Sequence, residues 1–167
     1  MPMPAYMHIS DFPGSIQVEG REEHCEILGF DHTLHIPTDP KDGTPSGTRR
    51  HGYFVVLKNY DKATAELYKF LCNGKSIEKI ELKWYEVTPD GEERVYFTHI
   101  LEKARVVKVR AWMPNVDDPA TERYKHMEEV SFHYEKITWK YEGKYVGTDG
   151  AGEGGQNEYS DSWLSQR

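Results

Sequence analysis

Long apolar runs are missing from this chain. No segment reaches the 18 or so consecutive apolar residues that a membrane-spanning helix needs, so no such anchor is expected. The amino end, MPMPAYMHISDFPG, has no basic stretch followed by an apolar one, which argues against a Sec-type signal peptide. Cytoplasmic synthesis is the expectation, and export would need a route that accepts folded protein. Cysteine is scarce. Cys25 and Cys72 lie far apart with no CxxC pair and read as small buried residues in a reducing compartment. Basic residues are outnumbered, 21 lysine plus arginine against 28 aspartate plus glutamate, giving a net charge of −7. Such a chain is poorly suited to nucleic acid, whose affinity rests on neutralised phosphates. The cluster Arg49-Arg50-His51 is too short to change that.

Signatures of catalysis are missing too. There is no GxSxG elbow, and neither cysteine sits in a catalytic pattern. GAGEGG lacks the strand–turn–helix setting of a phosphate loop and reads as a linker. Asp117-Asp118 and Glu128-Glu129 read as solvated pairs rather than as the two carboxylates of a glycosidase. The eight histidines invite a metal site, with His32 and His35 three apart and His51, His126 and His133 as companions. In a strand, however, residues three apart point to opposite faces, and the HxH spacing of a cupin-type site does not occur. No catalytic residue, metal or cofactor is expected.

What the chain does have is alternation. Hydrophobic residues make up 37 % and aromatics 13 %, a mixture that suits strands with one polar face and a core of large rings. In HMEEVSFHYEKITWKY, Val130, Phe132 and Tyr134 mark one strand face. Ile137, Trp139 and Tyr141 mark the same face one residue out of step, which predicts a β-bulge near Glu135-Lys136. Further strands are predicted at Ala5 to Asp11, Cys25 to Pro37, His51 to Asn59 and Ile77 to Val87. Arg94 to Ala111 is too long for one straight strand and should bend near Glu102-Ala104. Thr88-Pro89-Asp90-Gly91 signals a hairpin.

One helix is predicted. Asp61 serves as its N-cap, Ala63, Leu67, Phe70 and Leu71 share a face, and Asn73-Gly74 stops it. TDPKDGTPSGT, Thr38 to Thr48, can form no core and must be an exposed loop; Met113 to Lys125 is a second one. Residues 1–146 read as one mainly β domain, an antiparallel sandwich or partly closed barrel of about eight strands with one short α-helix. Residues 147–167 read as a glycine-rich linker and a tail containing Trp163.

Four segments carry a family resemblance. IPTDPKDGTPSGTRRHG, KNYDKATAELYKFLCNG, IEKIELKWYEVTPDGEERVYFTHILEKARVVKV and MEEVSFHYEKITWKY, in that order, resemble the haemolysin-coregulated protein (Hcp) family of type VI secretion. The likeness runs from about Ala5 to Tyr145, and its motif residues include Asp61, Lys62, Thr64 and Trp139. Gly52 and Ala65 stand where relatives often carry proline, and Met127-Glu128 where the approach to the last strand varies.

The resemblance implies a two-sheet β-barrel that forms hexameric rings stacked into a tube. A contractile sheath would expel the tube, a valine-glycine repeat spike protein would cap it, and effector proteins would travel in its channel. The product would leave the cell through that system, without membrane insertion. Loops at the barrel ends are the stacking candidates: Thr38, Asp39, Lys41, Asp42, Arg49 and Arg50 in the excursion, and Pro89, Asp90 and Gly91 at the hairpin tip. Asn115, Asp117 and Asp118 are candidates for facing the channel. Two alternatives stay open: a monomeric barrel binding a small ligand, and a metal-binding barrel using His32, His35 or His126.

Overall fold

The structure is a computed structural model and describes residues 3–142 and 157–162. Its wall is built from β1 (Ala5–Ile9), β2 (Cys25–Ile27), β3 (Gly29–Asp31), β6 (Phe54–Asn59), β7 (Ser76–Val87), β8 (Glu93–Trp112) and β9 (Met127–His133). β4 (Leu34–His35) and β5 (Arg50–His51) form a separate two-stranded sheet. α1 (Thr64–Asn73), β10 (Lys136–Tyr141) and β11 (Asn157–Ser162) complete the described elements. Every strand pairing is antiparallel.

The single strand expected from Cys25 to Pro37 is instead three short ones, and its first break closes the barrel. β2 pairs with β1, Ala5 opposite Ile27, whereas β3 pairs with β6, Gly29 opposite Leu57. The change of partner falls at Leu28, whose N–H donates to Leu57 O at 2.8 Å. The order β2-β1-β7-β8-β9-β6-β3 therefore begins and ends on one continuous piece of chain. Apolar alternation reports which face is buried and is blind to a change of partner.

The strand expected from His51 to Asn59 is likewise split into β5 and β6. Gly52 N–H donates to Thr33 O at 2.7 Å, and a Cβ at Gly52 would lie 2.8 Å from that oxygen. Glycine fits this approach; a proline would have no N–H to donate.

β8 bends where its length predicts. Lys103 takes a left-handed φ of 50°, and the strand changes partners across it. Phe97 to Glu102 pair with β10, Arg105 to Trp112 with β9, and β7 follows the other side as far as Arg105. The bulge expected near Glu135-Lys136 is not there. Arg105 faces His133 and Glu102 faces Lys136, so the pairing frame is continuous, and the chain breaks at Tyr134-Glu135 to turn the corner beside Lys103. The extra residue lies in the opposite strand, where register shifts between Val106 and Lys108.

Met7, Phe54, Leu82, Leu101, Val130, Phe132 and Ile137 fill the interior and are fully buried. Burying each such side chain contributes roughly 1.5–3 kcal/mol. α1 packs on this core through Leu67, and Phe70 meets Phe12 at 5.1 Å between ring centroids. Gly74 ends the helix with φ 62°, as Asn73-Gly74 predicts. The start differs: Ala63 occupies the N-cap position, two residues past the expected Asp61, and makes no side-chain cap bond. Asp61 still accepts the Ala63 N–H at 2.9 Å.

Asn157–Ser162, placed in the tail by composition, pairs along all of β10, with Trp139 opposite Tyr159 and their rings stacked at 6.2 Å. Its Asn157-Glu158-Tyr159-Ser160-Asp161-Ser162 sequence carries no apolar alternation to betray a strand. The linker at 147–156 and Trp163 lie outside the described residues. Among the described residues no helix is long and apolar enough to cross a membrane.

Candidate functional site

The excursion from Thr38 is ordered by its own polar groups. Thr38 and Pro45 form an isolated antiparallel bridge, Asp39 N–H donates to Thr44 O at 2.8 Å, and Gly43 N–H returns to Asp39 O at 2.9 Å. Asp39 and Asp42 carboxylates accept the N–H groups of Lys41 and Thr44 at 2.8 and 3.0 Å. Each is a side-chain turn that holds a polar segment without a core. Lys41, Asp42 and Arg50 are exposed, and Asp39 is half-buried.

Arg49, counted with the loop by its sequence, is engaged at its base. Its Nε and one terminal nitrogen donate to the two carboxylate oxygens of Asp161 at 2.5 and 2.6 Å. His51 Nε2 reaches the same Asp161 at 2.7 Å, His51 Nδ1 lies 2.7 Å from Tyr134 Oη, and His32 Nε2 lies 2.8 Å from that hydroxyl. A carboxylate only accepts, so a neutral His51 carries its proton on Nε2 and takes the Tyr134 proton on Nδ1. His32 then donates to Tyr134, and every proton in the chain has one place. The Arg49 hydrogen bonds hold the Asp161 carboxyl below its ordinary value, outweighing its burial. Burial, with the neighbouring His51, lowers His32.

The hairpin tip keeps the predicted shape. Gly91 has φ 83° and donates to Thr88 O at 2.9 Å, while Pro89 and Asp90 are exposed. The acidic loop is a run of side-chain turns: Asn115 Oδ1 accepts from Asp117 N–H at 3.1 Å, and Asp118 Oδ1 from Ala120 N–H at 2.9 Å. Beside it lies a groove of about 740 Å³ lined by Leu28, Leu57, Asn59, Pro119, Ala120, Arg123, Tyr124, Lys125 and Met127. It opens on the surface. Side chains of the described residues fill the barrel interior.

Two of the family-motif residues, Asp61 and Thr64, meet in a second cluster. Lys58, fully buried, pairs with Glu128, also fully buried, and with Asp61 at 2.8 Å. Thr64 Oγ1 donates to Glu128 at 2.9 Å and accepts from Asp61 N–H at 3.0 Å. Lys62 stays exposed and donates its backbone N–H to Ser15 at 2.8 Å. Burial alone would lower Lys58, but the bonds to Asp61 and Glu128 raise it. Glu128, read as part of a solvated pair, is thus an anchor; no local pattern announces a carboxylate whose partner lies 70 residues earlier.

His32 faces Tyr134, while His35 and His126 are exposed. Among the described residues no group of three or more His, Cys, Asp or Glu is arranged to hold a metal. Cys25 is buried, which pushes its thiol up and away from reactivity; Cys72, expected inside, is exposed on α1. With the helix ending at Gly74, Cys72 falls on the face away from Leu67.

Residues 6–141 match the family described as "Type VI secretion system effector, Hcp". The chain belongs to the Hcp family. A relative in Pseudomonas aeruginosa named "Major exported protein" is 35 % identical over 179 residues, covering 99 % of this chain and 98 % of the relative. A mutant form of the Hcp1 protein from E. coli EAEC 042 pathovar is 32 % identical with a TM-score of 0.76, covering 98 % of this chain and 99 % of that one. The secreted protein Hcp3 from Pseudomonas aeruginosa is 28 % identical with a TM-score of 0.72, covering 97 % and 99 %. Hcp proteins are structural tube proteins of type VI secretion rather than enzymes, and they assemble into rings and tubes. This chain is such a tube subunit.

Proposed function

We propose that six copies close into a ring, and that rings stack through the Thr38–Arg50 excursion and the Pro89-Asp90-Gly91 tip. The channel then carries effector proteins past Asn115, Asp117 and Asp118. The tube leaves the cell through the type VI system, capped by a valine-glycine repeat spike protein and driven by a contractile sheath. The work is mechanical, with no catalytic step. The observation that supports stacking best is the excursion itself: its eleven residues from Thr38 to Thr48 form no core, yet it is braced inside by the Thr38–Pro45 bridge and at its base by Arg49. A polar loop held in one pose is preorganised for docking. A ring needs two different patches per subunit, because each copy meets its neighbour head to tail.

Light scattering on the purified chain should give a mass near six times 19.4 kDa. A monomer at every concentration would overturn the ring. Deleting Thr38 to Ser46 should leave a folded subunit and ring but shorten the tubes; tubes of normal length by electron microscopy would refute the stacking role.

A further inference from the structure

We propose that β11 is a latch on the excursion, with its Asp161 as the positioning residue that holds the loop in its stacking pose. The proposal rests on reading Thr38–Arg50 as a stacking loop.

Asn157 to Ser160 are exposed, and Asp161 is the one buried side chain of β11, 7 % accessible. Both of its oxygens are spent on the excursion's exit. Arg49, the residue leaving the loop, binds it through two parallel bonds, and His51 of β5 binds it through Nε2. β5 in turn pairs with β4, where the chain enters the loop, His35 opposite Arg50 and Leu34 opposite His51. One carboxylate therefore grips the exit directly and the entry through that ladder.

The ladder is weak by itself. β4 and β5 have two residues each and form a sheet separate from the barrel, and an isolated two-stranded pairing is marginal in water. Charge-assisted, bidentate bonds to an arginine are the strong kind of polar fixation. Tyr134 and His32 continue the fixation inward, so the base of the loop is tied to the barrel wall as well as to β11. Asp161→Asn would spoil the bidentate grip. An amide carbonyl in the place of Oδ2 can still serve Arg49 Nε and His51 Nε2, but the NH2 in the place of Oδ1 would face the second Arg49 nitrogen, donor against donor, and the charge that strengthens every bond there is gone.

Full-length Asp161→Asn and Arg49→Gln proteins test the latch. Ring mass by light scattering should match the parent in both, because neither change touches the barrel core. Amide hydrogen exchange within residues 38–51 should accelerate by roughly tenfold in Asp161→Asn, the loss expected for charged hydrogen bonds. Exchange in α1 and β7 should be unchanged, and tubes should be shorter. If Asp161→Asn fails to fold, Arg49→Gln, altered at a partly exposed side chain, supplies the same readouts. Parental exchange rates in residues 38–51 would overturn the latch. So would full-length tubes in both variants when deletion of Thr38 to Ser46 shortens them. Full-length tubes in that deletion would instead overturn the stacking role, and the exchange rates would then decide whether Asp161 holds the loop.

Discussion

Lys58→Met should lower the stability of the subunit by about 3–5 kcal/mol, the range for breaking a buried ion pair by removing one partner. Lys58 and Glu128 are both fully buried, one on β6 and one on β9, directly opposite each other in the ladder. Without the ammonium, Glu128 keeps only the Thr64 hydroxyl among its described partners, and its Oε2 is already unpartnered among the described residues. An unpaired carboxylate in that position either stays charged at a large desolvation cost or takes up a proton. The Asp61–Thr64 turn that starts α1 loosens with it, since Asp61 loses the same ammonium. Pairing the change with Glu128→Leu should recover much of the loss, because the fully buried carboxylate is then gone and Asp61, which reaches solvent, keeps the Ala63 N–H. Urea titration measures both, as shifts in midpoint at constant slope. A Lys58→Met midpoint equal to the parent's would mean that the cluster contributes nothing.

The second large effect is a loss of stability in mild acid. Burial, and then the charge of His32, depress His99 from 6.5 to about 4. Geometry gives the same sign. Trp84 Nε1–H donates to His99 Nδ1 at 2.9 Å, which requires a lone pair there, and the ring packs against Phe97, Phe30 and Phe54 at 5.0, 5.2 and 5.5 Å. The folded state prefers neutral His99, so between pH 6.5 and 4 the unfolded chain binds more protons. Stability is fully present above the unfolded value and drains away as pH falls toward the folded one, by about 3 kcal/mol from this residue. His32 is shifted in the same direction and steepens the slope. His99→Gln removes the titration, and denaturant midpoints across this window should flatten. An undiminished slope in that variant would assign the acid sensitivity elsewhere.

The elements that the sequence reveals are those written locally. The helix stop at Asn73-Gly74 and the hairpin at Thr88–Gly91 each follow from a few adjacent residues, and the bend beside Lys103 from the length of the strand that holds it. The four family segments, read together, carried the fold and the tube function. What stayed hidden depends on distant partners. The barrel closes at Leu28 because Leu57 waits across it, and Asp161 matters because Arg49 and His51 meet it more than a hundred residues away. Glu128 looks like half of a solvated acidic pair until Lys58 is placed opposite. Burial of a charge is set by tertiary pairing, which spacing alone does not encode. β11 was invisible for another reason: at an edge, a strand can be held by backbone bonds and one clamped side chain, with no apolar rhythm at all.

β8 turns a corner at Lys103 and serves in two walls, one built with β10 before the turn and one with β9 after it, with β7 running beside it through the turn. Neither wall can peel away while the other stays intact, since tearing off either one strips this shared beam of a neighbour. Pulled by its two ends, a subunit should then yield as one body, in a single force step, rather than shedding one layer first.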